Sequence, residues 1–213
     1  MSEFVNPTEL DLIAPTSVSL NKPAEHVLLE EVSSSIVQGT IDRMLELASG
    51  KGRGKADTRQ MVGLAAVQLG VNLRICIIDT TADGSNKDQN LEAFINPTIT
   101  SRSYDLELGR EGCWSCGNIC GAVERAESIT LDALDRNGKP SVLKLSGFVA
   151  RIAQHEVDHL DGIRFPDRIP PNHPERLHIV KPTEFERYRT EWNEWDILCP
   201  RTLWDAMKTG RDL

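Results

Sequence analysis

The segment GFVARIAQHEVDHLDG, residues 147–162, constrains this chain more than any other stretch. Phe148, Ile152, His155 and His159 fall at i, i+4, i+7 and i+11, so they share one stripe of a helix, and Asp161-Gly162 supplies a stop. Two imidazoles on the apolar stripe of a buried helix need two separate hydrogen-bonding solutions unless one ion satisfies both. His155-Glu156-Val157-Asp158-His159 has the spacing of a H-E-x-x-H segment. Its histidines sit about a turn apart and suit one metal, with Glu156 placed to reach a metal-bound water. A buried helix carrying a metal site is therefore the first expectation.

The elements around it can be read in turn. Residues 27–48, VLLEEVSSSIVQGTIDRMLELA, place Val37, Ile41, Met44, Leu45 and Ala48 at helical spacing and predict an amphipathic helix interrupted by Gly39. RICIID at 74–79 reads as a buried strand, and AFINP at 93–97 as a second one stopped by Pro97. ESITLDAL (127–134) and SVLKLSG (141–147) flank DRNGKP, where Asn137-Gly138 offers the positive φ angles of a tight hairpin. That order predicts an α+β fold: antiparallel β-sheets packed around a central metal-binding helix, with an N-terminal helix. The 213 residues fit one domain, a body over 1–170 whose first 25 or so residues are an extension, followed by a helical C-terminal extension over 171–213 packed on the same body. Trp192, Trp195 and Trp204 are expected to dock a C-terminal helix.

Charge and cysteine usage exclude other classes. A formal charge of −8 offers no basic face for a phosphate backbone, so DNA is not an expected partner. The one basic cluster, GKGRGKADTR at 50–59, reads as a solvated loop. No apolar run approaches the roughly 20 residues of a membrane span, and the first residues lack the pattern of a targeting segment. Five cysteines, an odd number, favour reduced thiols and a cytoplasmic location.

Two histidines leave the metal short of a ligand. His173 and His178 lack the metzincin spacing, which needs a histidine at 165 where Phe165 stands. A downstream Glu175 or Glu186 could serve, and so could a cysteine of EGCWSCGNIC, residues 111–120. That decapeptide also carries Cys113-x-x-Cys116 with Cys120 behind it, which with Cys199 would make a zinc knuckle and leave HEVDH as a surface helix.

MVGLAAVQLG at 61–70, EGCWS at 111–115 and QHEVDHLDG at 154–162, in this order and at these separations, resemble the three motifs of the peptide deformylase family, with similarity over about residues 36–168. The resemblance implies a metal held by Cys113, His155 and His159, a set that leaves a fourth position open. It implies one divalent ion, expected to be Fe2+, with Zn2+, Ni2+ or Co2+ as alternatives that the same ligands accept. It further implies that Glu156 takes a proton from the attacking water and returns it to the departing amine, and that the Gln68 side-chain amide and the Trp114 backbone N–H hold the oxyanion. Val62, Gly63, Glu111 and Gly112 would line the peptide. The implied substrate is the N-formyl group of formyl-methionyl peptides on newly made proteins, which brings transient ribosome association with it. Arg125 and Asp158 are expected to pair and brace the metal helix.

Three features depart from the family pattern. Met61 stands in place of a glycine, Trp114 in place of a leucine, and Cys116-Gly117 in place of an apolar residue and a proline. These departures are expected in the walls that face substrate, where they bear on peptide selectivity. The alternatives are a formamidase or peptidase on the same site, or the non-catalytic knuckle.

Overall fold

The computed structural model describes residues 7–51, 59–83 and 89–211; the basic cluster lies outside them from 52 to 58. Its helices are α1 (Ser35–Ala48), α2 (Gly147–Leu160), α3 (Phe185–Glu191) and α4 (Arg201–Lys208). The strands are β1 (Gly63–Ala65), β2 (Ile75–Asp79), β3 (Leu91–Arg102), β4 (Leu106–Gly112), β5 (Ile119–Ala126), β6 (Ser128–Leu134), β7 (Pro140–Ser146) and β8 (Leu177–Ile179). One sheet runs β1-β2-β3-β6-β7 and the other β4-β5-β8, with every strand pair antiparallel. This is the α+β architecture expected, with α2 at its centre.

Strand β2 shows why the apolar run at 75–78 is unbroken. Ile75 and Ile77 join Ile41, Met44 and Leu47 of α1 in one core, while Cys76 and Ile78 join Ile152, Ala153 and Leu160 of α2 in another. With a helix on each face, alternation between apolar and polar residues is lost.

Three expectations needed correction. Helix α1 starts at Ser35 rather than 27, because Ser34 caps it, its Oγ accepting the Val37 N–H at 3.3 Å. Val27 is held instead by Asn96, whose side chain accepts from the Val27 N–H at 2.9 Å and donates to its carbonyl at 2.8 Å. Pro97 does not stop its strand: β3 continues to Arg102 through a register shift between Ile95 and Thr98, where Asn96 takes a φ of 53°. A bulge frees the proline from donating to the ladder. In the hairpin, β6 and β7 pair from Ser128↔Ser146 to Leu134↔Pro140, yet only Gly138 has positive φ, 81°. The Asp135 carboxylate closes that turn by accepting from Asn137 and Lys139 N–H at 2.8 and 2.9 Å.

The tryptophans serve two places rather than one helix. Trp204 of α4 is fully buried against Cys116, Ile119, Phe165 and Cys199. Trp195 packs with Tyr188, Cys120 and Val180 in a separate cluster, with Trp192 at its margin.

Candidate active site

The α2 stripe delivers the expected constellation. Cys113, at the end of β4, meets His155 and His159 so that the three ligand atoms lie within 4.8 Å of one another, the only such group found among the described residues. Cys113 Sγ stands 3.2 Å from His159 Nε2, close to the roughly 3.5 Å separation of a thiolate and an imidazole on one tetrahedral ion. The downstream carboxylates do not join: Glu175 is exposed beside His173, and Glu186 pairs with Arg189 on the surface. Cys116, Cys120 and Cys199 are buried in apolar clusters and form no knuckle among the described residues. Cys116 therefore leaves the expected substrate wall for the core beneath α4, which needs its bulk against Trp204.

Beneath His155 lies a network of charges. His155 Nδ1 donates to Glu111 Oε2 at 2.9 Å, which leaves Nε2 turned to the cluster. Arg125 grips the same carboxylate through Nε and Nη2, both at 2.9 Å, and reaches Asp158 with Nη1 at 2.5 Å. Asp158 also accepts from Arg168 at 3.0 and 2.5 Å, and Arg151 adds a bond to Glu111 at 3.0 Å. Burial opposes ionisation of Glu111, but Arg125 and then His155 hold its carboxyl well below the usual range. For Asp158 burial is likewise outweighed, by Arg168 and Arg125. The expected Arg125–Asp158 pair is present, but Glu111 has its carboxylate under the metal cluster, with its backbone at the cleft wall.

Glu156 has the opposite surroundings. Burial, assisted by the negative Cys113 and Glu111, pushes its carboxyl up to about 7 against the pull of His155 and His159. Its Oε2 is buried without a hydrogen-bond partner in the protein. Gly63 makes room for it: a Cβ there would lie 2.3 Å from Glu156 Oε1. Gln68 is oriented by its own backbone turn. Its Oε1 accepts the Ala65 N–H at 2.8 Å, so its amide nitrogen faces Cys113 Sγ at 3.4 Å and Ser115 Oγ at 3.1 Å.

These features fit a bound divalent ion. Hydrogen bonding from Cys116, opposed by burial, and the positive field of His159 draw the Cys113 thiol well below its usual range. Burial disfavours a charged His155, yet Cys113 and Glu111 together hold its imidazole well above its usual value. A site whose field favours a proton on an imidazole favours a cation held by that imidazole in its place.

A cavity of about 300 Å³ opens on this cluster, lined by Val62, Gly63, Gln68, Gly112, Trp114 and Glu156 among others. A larger one of about 890 Å³ shares Met61, Arg110, Gly112, Trp114 and Arg189 with it and extends to Pro182, Phe185 and Tyr188. The side chain of Trp114 is 44% exposed there. Strands β1 and β4 are both sheet edges, so Val62–Gly63 and Glu111–Gly112 present backbone to the cleft.

Sequence reading missed Arg151, Arg164 and Ser115. Arg151 was signalled, because it lies four residues before His155 on the helix stripe. Arg164 gave no local sign: it is fully buried, donates to the Pro15 and Ser115 carbonyls at 2.7 and 2.8 Å, and lies over the Trp204 ring at 4.4 Å.

Fold and site together define an α+β protein of the H-E-x-x-H class, with a Cys-His₂ cluster suited to one ion. The sequence profile of the polypeptide deformylase family matches residues 12–175, and the chain belongs to that family. It is 43% identical to peptide deformylase 2 of Gloeobacter violaceus over 108 residues, 51% of this chain and 57% of that one. The chain thus spans a little under six tenths of that relative. With peptide deformylase 1 of Bacillus subtilis it shares 35% identity over 151 residues, 70% of this chain and 83% of the relative. A crystal structure of the Synechococcus elongatus peptide deformylase in complex with actinonin matches with a TM-score of 0.64 at 33% identity, over 79% of this chain and 84% of that one. The Met-Ala-Ser-bound class I type b enzyme of Acinetobacter baumannii matches with a TM-score of 0.66 at 31% identity, over 75% of this chain and 98% of that one.

Proposed function

We propose that this protein hydrolyses the N-formyl group of formyl-methionyl peptides and releases formate. The observation that carries this reading is the clustering of Cys113, His155 and His159 at a cavity that Cys113, His155, Glu156 and Gln68 line between two open strand edges, with the Gln68 amide facing Cys113. The Synechococcus elongatus and Acinetobacter baumannii relatives, seen with actinonin and with Met-Ala-Ser, support it.

Cys113, His155 and His159 would hold the metal, which supplies Lewis-acid polarisation and an acidified water. Glu156, kept near neutral pKa by its buried position, accepts the proton of the attacking water. The Gln68 amide and the Trp114 backbone N–H donate to the oxyanion as the formyl carbon becomes tetrahedral. Glu156 then passes the proton to the departing amine, and the C–N bond breaks. Val62–Gly63 and Glu111–Gly112 pair with the extended peptide as an added strand between β1 and β4. Glu111 keeps His155 in one tautomer throughout.

The ion we assign is Fe2+, a borderline divalent metal that one thiolate beside two imidazoles can hold; Zn2+, Ni2+ and Co2+ fit the same donors. Peptides leaving the ribosome are the substrate source, so transient contact with ribosomes and a cytoplasmic location belong to this reading. Among the described residues no helix is long and apolar enough to cross a membrane. Residues 171–213 are read as an extension of the same folding unit as 1–170, supported by Trp204, which donates to Asp167 at 2.9 Å and seals the core under Cys116.

The experiment is an anaerobic assay of the iron-loaded protein on formyl-Met-Ala-Ser, beside the acetylated peptide and a small free formamide. Formate from the formyl peptide alone is the expected result. Faster turnover of the small formamide would move the assignment to a formamidase, and no formate from either would overturn the reading.

A further inference from the structure

Most buried arginines of this protein are neutralised. Arg74, Arg125 and Arg151 each hold a carboxylate. Arg164 differs. Its side chain is fully buried, yet no carboxylate of the described residues lies within ion-pairing distance of its guanidinium. Neutral groups alone hold it. Nη1 donates to the Pro15 and Ser115 carbonyls at 2.7 and 2.8 Å, and Nη2 to Asn21 Oδ1 at 3.0 Å. The Trp204 ring lies 4.4 Å away, and Nε has no hydrogen-bond partner in the protein. The Asp167 carboxylate takes its bonds instead from the Arg164 backbone N–H, Trp204 Nε1 and the Lys208 ammonium. A buried cation without a counter-ion is costly, and an apolar side chain would avoid that cost.

The bonds around Ser115 show where that charge leads. The peptide unit whose carbonyl accepts from Arg164 carries the Cys116 N–H at its other end, and this N–H donates to the Cys113 carbonyl at 3.0 Å. The Cys113 carbonyl in turn shares its peptide unit with the Trp114 N–H, in the single turn over Trp114–Cys116 that borders the smaller cavity. Two peptide dipoles thus stand in series between the guanidinium and that N–H, and each bond in such a chain polarises the next. We propose that Arg164 is a positioning residue for the oxyanion: its charge fixes and polarises the Trp114 N–H through the Ser115–Cys116 and Cys113–Trp114 peptide units. The inference rests on the deformylase reading, which makes that N–H an oxyanion donor. Because the guanidinium also holds Pro15 and lies over Trp204 of α4, segments from both ends of the chain seat it.

The test measures kcat, KM and bound metal of the full metal-loaded chain on formyl-Met-Ala-Ser for the wild type, Arg164→Gln and Arg164→Lys. Rates are taken per bound ion, so that only folded molecules count. Arg164→Gln keeps a donor without the charge. Its kcat is expected to fall roughly tenfold at unchanged KM, a fraction of the ~10²–10³ lost with a whole oxyanion donor. Arg164→Lys keeps the charge and is expected to recover most of that loss. In Ser115→Ala, which releases the Gln68 amide from Ser115 Oγ but keeps the backbone chain, the fall caused by Arg164→Gln is expected to persist. A second reading needs no turnover: in zinc-loaded protein with isotope-labelled tryptophan, the NMR signal of the Trp114 amide is expected to move upfield in Arg164→Gln and less so in Arg164→Lys. A fall that vanishes in the Ser115→Ala background routes the effect through Gln68 and overturns the proposal. So does an unmoved Trp114 signal, or a loss carried by KM. If Arg164→Gln does not fold, Arg164→Lys decides, because a metal-bound lysine variant that has lost the full tenfold overturns the role of the charge. Failure of the wild type to release formate overturns the deformylase reading and the oxyanion role with it, whereas wild-type turnover beside an undiminished Arg164→Gln overturns this proposal alone.

Discussion

Two regions flank the metal cluster and are held by different means. Behind His155, four charged side chains, Glu111, Arg125, Arg151 and Asp158, are buried and joined to one another at 2.5–3.0 Å. On the other side the C-terminal segment is fastened by aromatic rings and scattered bonds, some neutral, such as His178 Nδ1 accepting the Tyr188 O–H at 2.8 Å and Trp195 Nε1 donating to the Ile179 carbonyl at 3.0 Å, and some charged, such as Lys208 to Asp167 at 2.9 Å and Arg201 to the Pro166 carbonyl at 2.6 Å. A charged network resists small displacements, because each member loses its partner when any one moves. Aromatic packing tolerates them. The rigid side carries the groups that orient His155, and the adaptable side forms the far wall of the substrate cleft.

The contrast can be broken by removing one member from each side. Arg125→Ala strands both Glu111 and Asp158 without their shared cation, and is expected to cost about 3–5 kcal/mol and most of the bound metal. Urea unfolding and metal analysis check it, and a loss no greater than that of a surface substitution would show that the network holds nothing. Trp204→Ala is expected to cost roughly 3 kcal/mol, by emptying the pocket beside Cys116 and Phe165, while metal content stays near one per chain. Equal metal loss in both variants would erase the distinction between the two regions.

A subtler change sharpens it. Glu111→Gln retains an acceptor for His155 but removes the charge, and is expected to weaken metal affinity about 10–100-fold in competition with a chelator. The smallest effect concerns pH. Burial lowers the pKa of His178, so the folded protein binds this proton less readily than the unfolded chain does. Stability from this group is present above its unfolded value of about 6.5 and is lost as pH falls below it toward the folded value. The urea midpoint of the wild type should therefore drop through that window by more than that of His178→Gln, and parallel curves would remove His178 from the account.

How far the sequence revealed all this depends on where each partner lies. The α2 residues were readable because ligands, base and stripe sit within one helical repeat, and the hairpin before it declared itself through Gly138. Asn96 was not, since its partner Val27 is 69 residues away and its positive φ belongs to a bulge that no local pattern marks. Pro97 read as a stop for the same reason. Glu111 could be placed beside Cys113, yet which way its carboxylate turns depends on the register of β4 against β5, where it faces Gly121. The tryptophans marked packing without saying against what, and two of the three proved to belong to the wall beside Tyr188.

The central claim is that Glu156, seated in the space that Gly63 leaves, moves the proton of formyl hydrolysis while Cys113, His155 and His159 hold the ion. The most direct measurement is formate release and metal content of Glu156→Gln beside the wild type, both iron-loaded and anaerobic. The account predicts one ion per chain in each protein and formate from the wild type alone. Turnover by Glu156→Gln at the wild-type rate, with its metal retained, would contradict it.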